Sequence, residues 1–496
     1  MELVQKSETT LLSKLDASGM ELENVSSKLD KSEMQVKLLQ AEILALKKEN
    51  NALTFKVSEM DARIMKLEKQ LGRDDSNSSV PPSASKHKPK TPNKNRSLRE
   101  KTGNKPGGQV GHEGSNLKFS EHVDEVVDHF PGSCANCGIY LEGVEPEKNV
   151  GRQVFDLPEN KLKVTEHRSH TKICPVCGHK NTAPFPAEVK NHTQYGSSLT
   201  GFVSYLVHYQ MVPFQRASEL IEDIFSQKIS VGTLVTMTQR VSAACKPAEE
   251  LIKSRLKGSP VINLDETGLY VGGKRWWEHV TSNKSYTYYY PHVSRGHLAV
   301  DEIGILPGYT GTAVHDNWAT YFMYPDCVHA LCNVHHLREL KGLVEFGNHK
   351  WAEEMKGLLM KAKEFSETNP YPLEADGISE IETAYQNILE QGIKETPRQR
   401  NGANDDAIKL LNRFSERQEE ILEFLYQEEV PFHNNQAEND VRMTKVKQKI
   451  SGTFRTSEGA MDYTRTRSVM STFKKQGIGI LRGLKDILVG KPCPIV

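Results

Sequence analysis

Three acidic residues in different settings carry the strongest chemistry in this chain. Asp265 ends the apolar run Val261-Ile262-Asn263-Leu264. Asp316 follows Thr312-Ala313-Val314-His315 and precedes Asn317-Trp318. Glu438 sits in His433-Asn434-Asn435-Gln436-Ala437-Glu438-Asn439-Asp440-Val441-Arg442. Two aspartates at strand ends and a late glutamate on a helix are what a two-metal phosphoryl-transfer site requires. Carboxylates are hard oxygen ligands for Mg²⁺ or Mn²⁺. Two such ions about 3.5–4 Å apart can activate an attacking oxygen and stabilise a leaving one. Three carboxylates brought together repel unless cations neutralise them, so the set implies a metal requirement. A lone strand-end Asp is commonly a turn residue, and a lone helical Glu commonly faces water. The reading rests on the three jointly.

The residues around Glu438 support it. Asn435, Glu438, Asn439 and Arg442 fall at i, i+3, i+4 and i+7, hence on one helix face. That face is poor core material, but it suits a site where Glu438 holds metal and Arg442 meets a phosphate. Lys445 and Lys449 extend the stripe as a DNA backbone track would. Glu266 and Asp440 are rival carboxylates. Glu266 should point to the strand face opposite Asp265, and Asp440 lies off the helix stripe.

A second chemistry lies in the cysteines. Four of the eight form Cys134-Ala135-Asn136-Cys137 and Cys174-Pro175-Val176-Cys177, each followed by Gly. Such knuckles turn backbone N–H groups toward thiolates, and two of them make a tetrahedral structural Zn²⁺ site. The other four cysteines are scattered, which reads as free thiols and not a disulfide framework. Cys332 and His335 have metal-ligand spacing but no fourth ligand in view. They are expected to support the active site from a helix start; a satisfied buried polar cluster is the other reading. Trp318 and Tyr321 could stack on a base or pack a neighbouring insertion, and packing is the expectation.

These groups need elements to position them. Residues 20–72 carry a heptad repeat, with a positions Leu22, Leu29, Val36, Ile43, Asn50, Val57, Ile64 and Leu71. The d positions are Val25, Ser32, Leu39, Leu46, Leu53, Met60 and Leu67. β-branched residues at a with Leu at d favour a parallel two-stranded coiled coil, and one polar Asn at a fixes its register. Residues 1–72 are therefore read as a dimerisation coil, 73–117 as a flexible basic linker and 118–190 as the zinc-binding module. A small β-ribbon over Arg152–Leu157 and Lys161–Thr165 should join the two knuckles. Residues 191–255 read as helices over Ser198–Met211, Phe214–Phe225 and Val231 to about Ala244, the last capped by Ser230. They fit a DNA-binding helix-turn-helix and, equally, a plain three-helix packing module.

From Val261 the pattern turns to strands. Val261–Leu264, Trp276–Thr281, Tyr286–His292 and Thr312–His315 read as strands, and His297–Leu306 as a helix. Leu337–Glu429 is helical and charged, and Asn434–Lys449 and Ser457–Lys475 are helices. A meander, a crossover helix, a parallel strand and a helical insertion (about 337–430) describe an RNase H-like α/β domain over 256–476, followed by a tail, 477–496. The fold class is thus multidomain α/β, with coiled coil, zinc module, helical module and catalytic domain in that order.

Lys+Arg and Asp+Glu both number 64, but the zero net charge hides segregation. Lys86–Lys118 holds nine basic residues against two Glu, and Arg442–Lys475 holds nine against Glu458 and Asp462. Two basic segments in a neutral chain point to localised contacts with a polyanion. No apolar run approaches the roughly 20 residues of a membrane span, and the first residues do not read as a secretory signal. A cytoplasmic, nucleoid-associated bacterial protein is expected.

Several blocks together resemble transposases of the IS66 family. They are Ser97-Leu98-Arg99-Glu100-Lys101 with Lys105-Pro106-Gly107-Gly108-Gln109, the two knuckles, Pro213-Phe214-Gln215-Arg216, and Leu264-Asp265-Glu266-Thr267. Further along are Cys332-x-x-His335, Asn434-Asn435-Gln436-Ala437-Glu438 and Lys447-Gln448-Lys449-Ile450-Ser451-Gly452-Thr453-Phe454-Arg455. The resemblance implies an Asp/Asp/Glu enzyme with Asp265, Asp316 and Glu438 as its triad. Asp316-Asn317-Trp318 stands where many relatives read Asp-Gly-Tyr. Arg442, Lys445, Lys449 and Arg455 are expected to contact DNA, and Asn435, Cys332 and His335 to support the site. Terminal inverted repeats and target DNA would be the partners, at least a homodimer the assembly, and small accessory proteins further helpers. The rival functions are a non-catalytic dimeric zinc-containing DNA-binding protein and an RNase H-fold nuclease.

Overall fold

The computed structural model describes residues 2–72, 117–158, 161–347, 349–398 and 404–496. The expected basic linker, with its Ser97–Gln109 motif, lies outside the described residues except at its last position. The chain divides into two compact units. One comprises residues 1–88, 246–477 and 495–496, the other 89–245 and 478–494.

Helix α1 runs over Glu2–Gly72. Its apolar heptad residues from Leu22 to Leu67 keep 49–70% of their surface exposed. A continuous apolar stripe of that length is what a partner helix would cover. No described helix is long and apolar enough to cross a membrane.

In the second unit, residues 117–196 contain little regular structure. Strands β1 (Thr171–Ile173) and β2 (Lys180–Thr182) form a short antiparallel hairpin around the second knuckle. The ribbon expected over Arg152–Leu157 and Lys161–Thr165 is not formed among the described residues. Val154, Leu157 and Val164 are 84–90% exposed, so no apolar face is buried there to fix a strand register.

The helices of this unit follow the apolar pattern closely. Helix α2 (Ser197–Ser204) continues as a π-turn over Tyr205–Tyr209, and α3 covers Phe214–Phe225. Ser226 ends α3 in the left-handed conformation. Ser230 Oγ then accepts from the Thr233 N–H at 3.2 Å and caps α4, Val231–Lys257. Val203, Val207, Ala217, Ile221, Ile229 and Leu234 form one core. Helix α4 runs well past the expected end near Ala244 and contains Pro247. Val241, Cys245, Ala248, Ile252 and Leu256 recur at helical spacing and are all buried. Burying that stripe outweighs the one hydrogen bond Pro removes.

The first unit is built on a mixed sheet. The strands are β3 (Val261–Val271), β4 (Lys274–Ser282), β5 (Thr287–His292), β6 (Thr312–His315) and β7 (Val328–Leu331). Their order is β5-β4-β3-β6-β7. The β3–β4 and β4–β5 pairs are antiparallel; β3–β6 and β6–β7 are parallel. Helix α5 (His297–Ile303) lies in the crossover from β5 to β6. The strand reading missed β7, which is four residues long and carries His329.

Helices α6 (Asn333–Gly347), α7 (Lys350–Thr368), α8 (Ala375–Glu395), α9 (Asp405–Glu416) and α10 (Gln418–Leu422) form the expected insertion. Their core, centred on Trp351, Met355, Leu359, Tyr385 and Phe414, is continuous with Val314, Ala330 and Leu331 of the sheet. Helices α11 (Asn435–Ser451) and α12 (Ser457–Lys475) pack on β3, β4 and β5. Ala437 and Val441 meet Val280 and Tyr289. Strand β5 is an edge, and α12 caps it. The Tyr289 N–H donates to Ser468 Oγ at 2.9 Å and the Thr287 N–H to Thr472 Oγ1 at 3.1 Å. Exposed strand edges invite pairing with other chains, so a Ser/Thr-rich helix face has a clear use here.

The segment read as a tail contains helix α13, Ile480–Leu488. Its Leu484 is fully buried and lies 3.6 Å from where a Cβ on Gly201 of α2 would stand.

Candidate active site

Strand register brings the two aspartates together. The parallel β3–β6 pairing matches Val261 with Thr312, Ile262 with Ala313 and Asn263 with Val314. Carried two residues further, it sets Asp265 beside Asp316. Asp265 is not at the end of its strand as expected. Strand β3 continues six residues beyond it in the hairpin with β4, where Leu269 pairs with Trp276. The pairing with β6 ends at Asn263, two residues before Asp265.

The carboxyl groups respond to one another. Burial pushes Asp265 well above the usual carboxylate range, and Glu266, Asp316 and Glu438 add to the push. Asp316 is raised to about 6, first by burial and then by Glu266. His335, the Trp318 N–H at 3.1 Å and Arg295 work against that rise. Like charges in a poorly hydrated site disfavour ionisation. A divalent cation would reverse both effects, so this oxygen-rich donor set fits Mg²⁺ or Mn²⁺. Asp316 and Glu438 both act on Asp265, yet the three carboxylates do not form a group with all ligand atoms within 4.8 Å of one another.

Glu438 occupies the first turn of α11. Its Oε1 lies 3.8 Å from Cys332 Sγ and 3.8 Å from His335 Nδ1. Among the described residues, Cys332, His335 and Glu438 are the one group of three candidate metal ligands in mutual reach. Glu438 joins Cys332 and His335 as a third partner, and a fourth ligand is still not among the described residues in mutual reach. A sulfur, nitrogen and oxygen set suits a borderline cation such as Zn²⁺. Burial and Glu438 push the Cys332 thiol up to about 12. As a neutral thiol it donates to Glu438 and accepts from the Asn434 N–H at 3.2 Å.

Asn434 is the residue that sequence reasoning undervalued. Its Nδ2 donates to the Leu264 carbonyl at 2.7 Å, and its Oδ1 accepts from Asn263 Nδ2 at 3.0 Å. Asn434 is 2% exposed. It ties the strand one residue before Asp265 to the helix turn that carries Glu438. Asn435, named as a support, is half-buried. The doublet before the helix was the available signal, and only packing distinguishes its members.

Glu266 is committed elsewhere. Arg295 donates to its Oε1 through Nε at 2.8 Å and Nη2 at 2.5 Å, and the Tyr321 hydroxyl donates to its Oε2 at 2.7 Å. Asp440 pairs with Lys475 at 2.9 Å. Trp318 and Tyr321 pack edge to face, centroids 5.2 Å apart. Of the basic stripe, Arg442, Lys449 and Arg455 are exposed. Lys445 instead donates to the Gly268 carbonyl at 2.8 Å and links α11 to β3.

Each cysteine knuckle is formed locally. Gly138 and Gly178 adopt φ of 76° and 69°, which only glycine takes without strain. Their N–H groups bond to the Cys134 and Cys174 carbonyls at 2.9 Å each. N–H groups of Cys137 and Asn136 lower the Cys134 thiol, and those of Cys177 and Val176 lower Cys174. The turns favour thiolates, which fits Zn²⁺. The structure does not gather three of the four sulfurs to within 4.8 Å of one another.

Comparison with known proteins identifies the family. The chain matches the Transposase IS66 family over residues 192–462, a stretch that includes Asp265, Asp316 and Glu438. The chain belongs to that family. Residues 25–118 match a family of unknown function, DUF6444. An uncharacterised protein, y4jO, of Sinorhizobium fredii (strain NBRC 101917 / NGR234) is 37% identical over 84 residues, 17% of this chain and 26% of that protein. The chain therefore spans about a quarter of the length of that relative.

Proposed function

We propose that this chain is a DNA transposase of the Asp/Asp/Glu type, acting on the terminal inverted repeats of its own element. The observation that carries the reading is the β3–β6 register, which carried two residues further brings Asp265 beside Asp316, with both Asp316 and Glu438 acting electrostatically on Asp265. The strand order, three antiparallel and two parallel, supports an RNase H-like catalytic domain. Asp265, Asp316 and Glu438 would hold two Mg²⁺ or Mn²⁺ ions, whose chemistry is to sharpen the attacking oxygen and stabilise the leaving one. Water attacks the phosphodiester at an element end, and the freed 3′-hydroxyl then attacks target DNA. Asn434 holds the β3 strand and the α11 turn in fixed relation. Cys332 and His335 orient the Glu438 carboxylate.

Arg442, Lys449 and Arg455 offer an exposed basic track for duplex DNA. The zinc knuckles, with Cys134, Cys137, Cys174 and Cys177 as Zn²⁺ ligands, and helices α3 and α4 serve repeat recognition. The α1 stripe pairs two protomers so that two ends meet in one complex. The test below uses the purified chain alone and then with the neighbouring gene products, which reads any need for small accessory proteins directly.

The test is cleavage and strand transfer on labelled duplexes carrying the repeats that flank the gene. Wild type is compared with Asp265→Asn and Glu438→Gln. Cleavage should depend on Mg²⁺ or Mn²⁺ and fall by at least about 10²–10³-fold in either variant, with repeat binding retained. Equal cleavage by wild type and Asp265→Asn would end the triad assignment.

A further inference from the structure

Beside the paired aspartates lies a set of groups that the reaction above leaves unused. Arg275 sits over the Trp277 ring, its Cζ 4.6 Å from the centroid. Arg295 lies 4.8 Å from the same ring and 4.5 Å from the Trp318 ring. Cation and aromatic groups thus alternate as Arg275, Trp277, Arg295, Trp318. The series starts on β4 and ends in the loop that leaves Asp316. Both tryptophans are half-buried and Arg275 is exposed. Trp318 lines the same cleft as Asp316, Cys332 and His335.

Arg295 is held in a specific way. Its Nε and Nη2 both address one oxygen of Glu266, whose side chain is only 2% exposed, while Arg295 itself is 41% exposed. Tyr321 fixes the other Glu266 oxygen. A guanidinium carries five N–H donors in a planar fork. One edge is held on Glu266 and two indole rings lie within 4.8 Å, so much of its rotamer freedom is spent, while the side chain keeps 41% of its surface in solvent. An immobilised guanidinium with a free edge is a bidentate phosphate site. Half-exposed indoles interleaved with arginine are what unpaired nucleotides bind, because any base has a stacking face.

We propose that Arg275, Trp277, Arg295 and Trp318 form a binding track for a single DNA strand, with Arg295 gripping a backbone phosphate next to the carboxylates and Trp318 stacking on a base. The proposal rests on the transposase reading and adds to it that the cut strand is held unpaired as it enters the site. Arg275 extends the track outward. Its guanidinium lies 3.4 Å from where a Cβ on Gly268 would stand, beside the carbonyl that Lys445 holds. Glu266 serves the track by fixing Arg295. That gives a buried carboxylate next to the catalytic pair a role of its own.

The test uses the full chain without added Mg²⁺, so that binding is read apart from cleavage. Affinity for a fluorescein-labelled single-stranded oligonucleotide and for a blunt duplex of the same sequence is measured across a salt series. For Arg275→Gln and Arg295→Lys, the log–log salt slope on the single strand should fall by about 1, the signature of one lost phosphate contact. The duplex slope should change less. Lysine keeps the charge but cannot serve Glu266 and a phosphate at once. Trp318→Leu should reduce the quenching of tryptophan fluorescence that the single strand causes, leaving the part that comes from Trp277. The double variant Glu266→Gln/Arg295→Gln keeps a neutral hydrogen-bonding pair and guards against misfolding; it should fold and show the same loss.

Wild-type slopes and quenching in all four would overturn the proposal. If those variants bind normally while wild type cuts repeat ends, the track is wrong and the transposase reading stands. If the track binds single strands but no repeat end is ever cut, the track stands and the transposase reading fails.

Discussion

Between Val261 and Leu331 most apolar side chains are buried, whereas between Leu117 and Phe185 most are exposed. Both stretches carry chemistry-bearing residues, but they position them differently. In the sheet unit, Asp265 and Asp316 meet because a parallel register, a helical insertion and α11 all agree on one arrangement. In the knuckle segment, each Cys-x-x-Cys turn is shaped by its own glycine and backbone N–H groups. Among the described residues, nothing buried there links one knuckle to the other. The comparison teaches that a site assembled by long-range packing tolerates electrostatic strain, since the fold holds its carboxylates together against repulsion. A site assembled by local turns needs its ligand to close it.

The largest effect that can sharpen this contrast comes from Glu278 on β4. Its carboxyl is fully buried near Thr444, Lys445 and Arg467, and burial raises it to about 7. A raised carboxyl favours its protonated form in the fold. Its stabilising contribution is therefore complete below the ordinary Glu value near ~4.3 and is lost as pH rises through about 7. Glu278→Gln removes that dependence. Thermal or urea unfolding across this window should show the variant gaining on wild type by on the order of 3 kcal/mol. Parallel pH profiles would mean that the sheet unit does not store strain at this site.

A smaller effect should come from the insertion core. A Cβ on Gly392 would stand 2.7 Å from Leu411 Cδ2 and 3.0 Å from Trp351 Cγ. Both neighbours are buried, so Gly392→Ala should cost about 1–3 kcal/mol by overpacking. Denaturant midpoints measure it; an unchanged midpoint would show that the helical insertion is looser than its packing implies.

The smallest effect on the sheet unit should come from the knuckles. Stripping Zn²⁺ with a chelator, or Cys137→Ser, should remove bound zinc and amide-exchange protection within residues 117–190. The melting of the sheet unit should hold steady, because the two regions draw on separate sources of order. A common loss of protection in both regions would break the distinction.

How much was legible depended on the range of the interactions. Helices α3 and α12 and strand β6 follow from apolar periodicity and turn residues, and their observed bounds match the expected ones. Strand β7 was not legible, because four residues containing His329 give too short an alternation. Helix α4 overran its expected end because tertiary burial of Ala248, Ile252 and Leu256 overrode a proline. The hairpin extension of β3 placed Asp265 inside a strand, paired with Val280 of β4 and just past the end of the β6 pairing.

The chain's residue types alone determined the hard-ligand carboxylates, the paired Cys-x-x-Cys-Gly turns, the heptad stripe and the family blocks. These are local patterns, and local patterns are written in consecutive residues. Only tertiary structure decided that Asn434, not Asn435, bridges strand and helix. Only it gave Glu438 to Cys332 and His335, committed Glu266 to Arg295, and turned Lys445 inward onto Gly268. Each of those choices joins residues tens to more than a hundred positions apart. Their partners are selected by which side chains the packed core leaves within a few ångströms, and no spacing in the sequence encodes that.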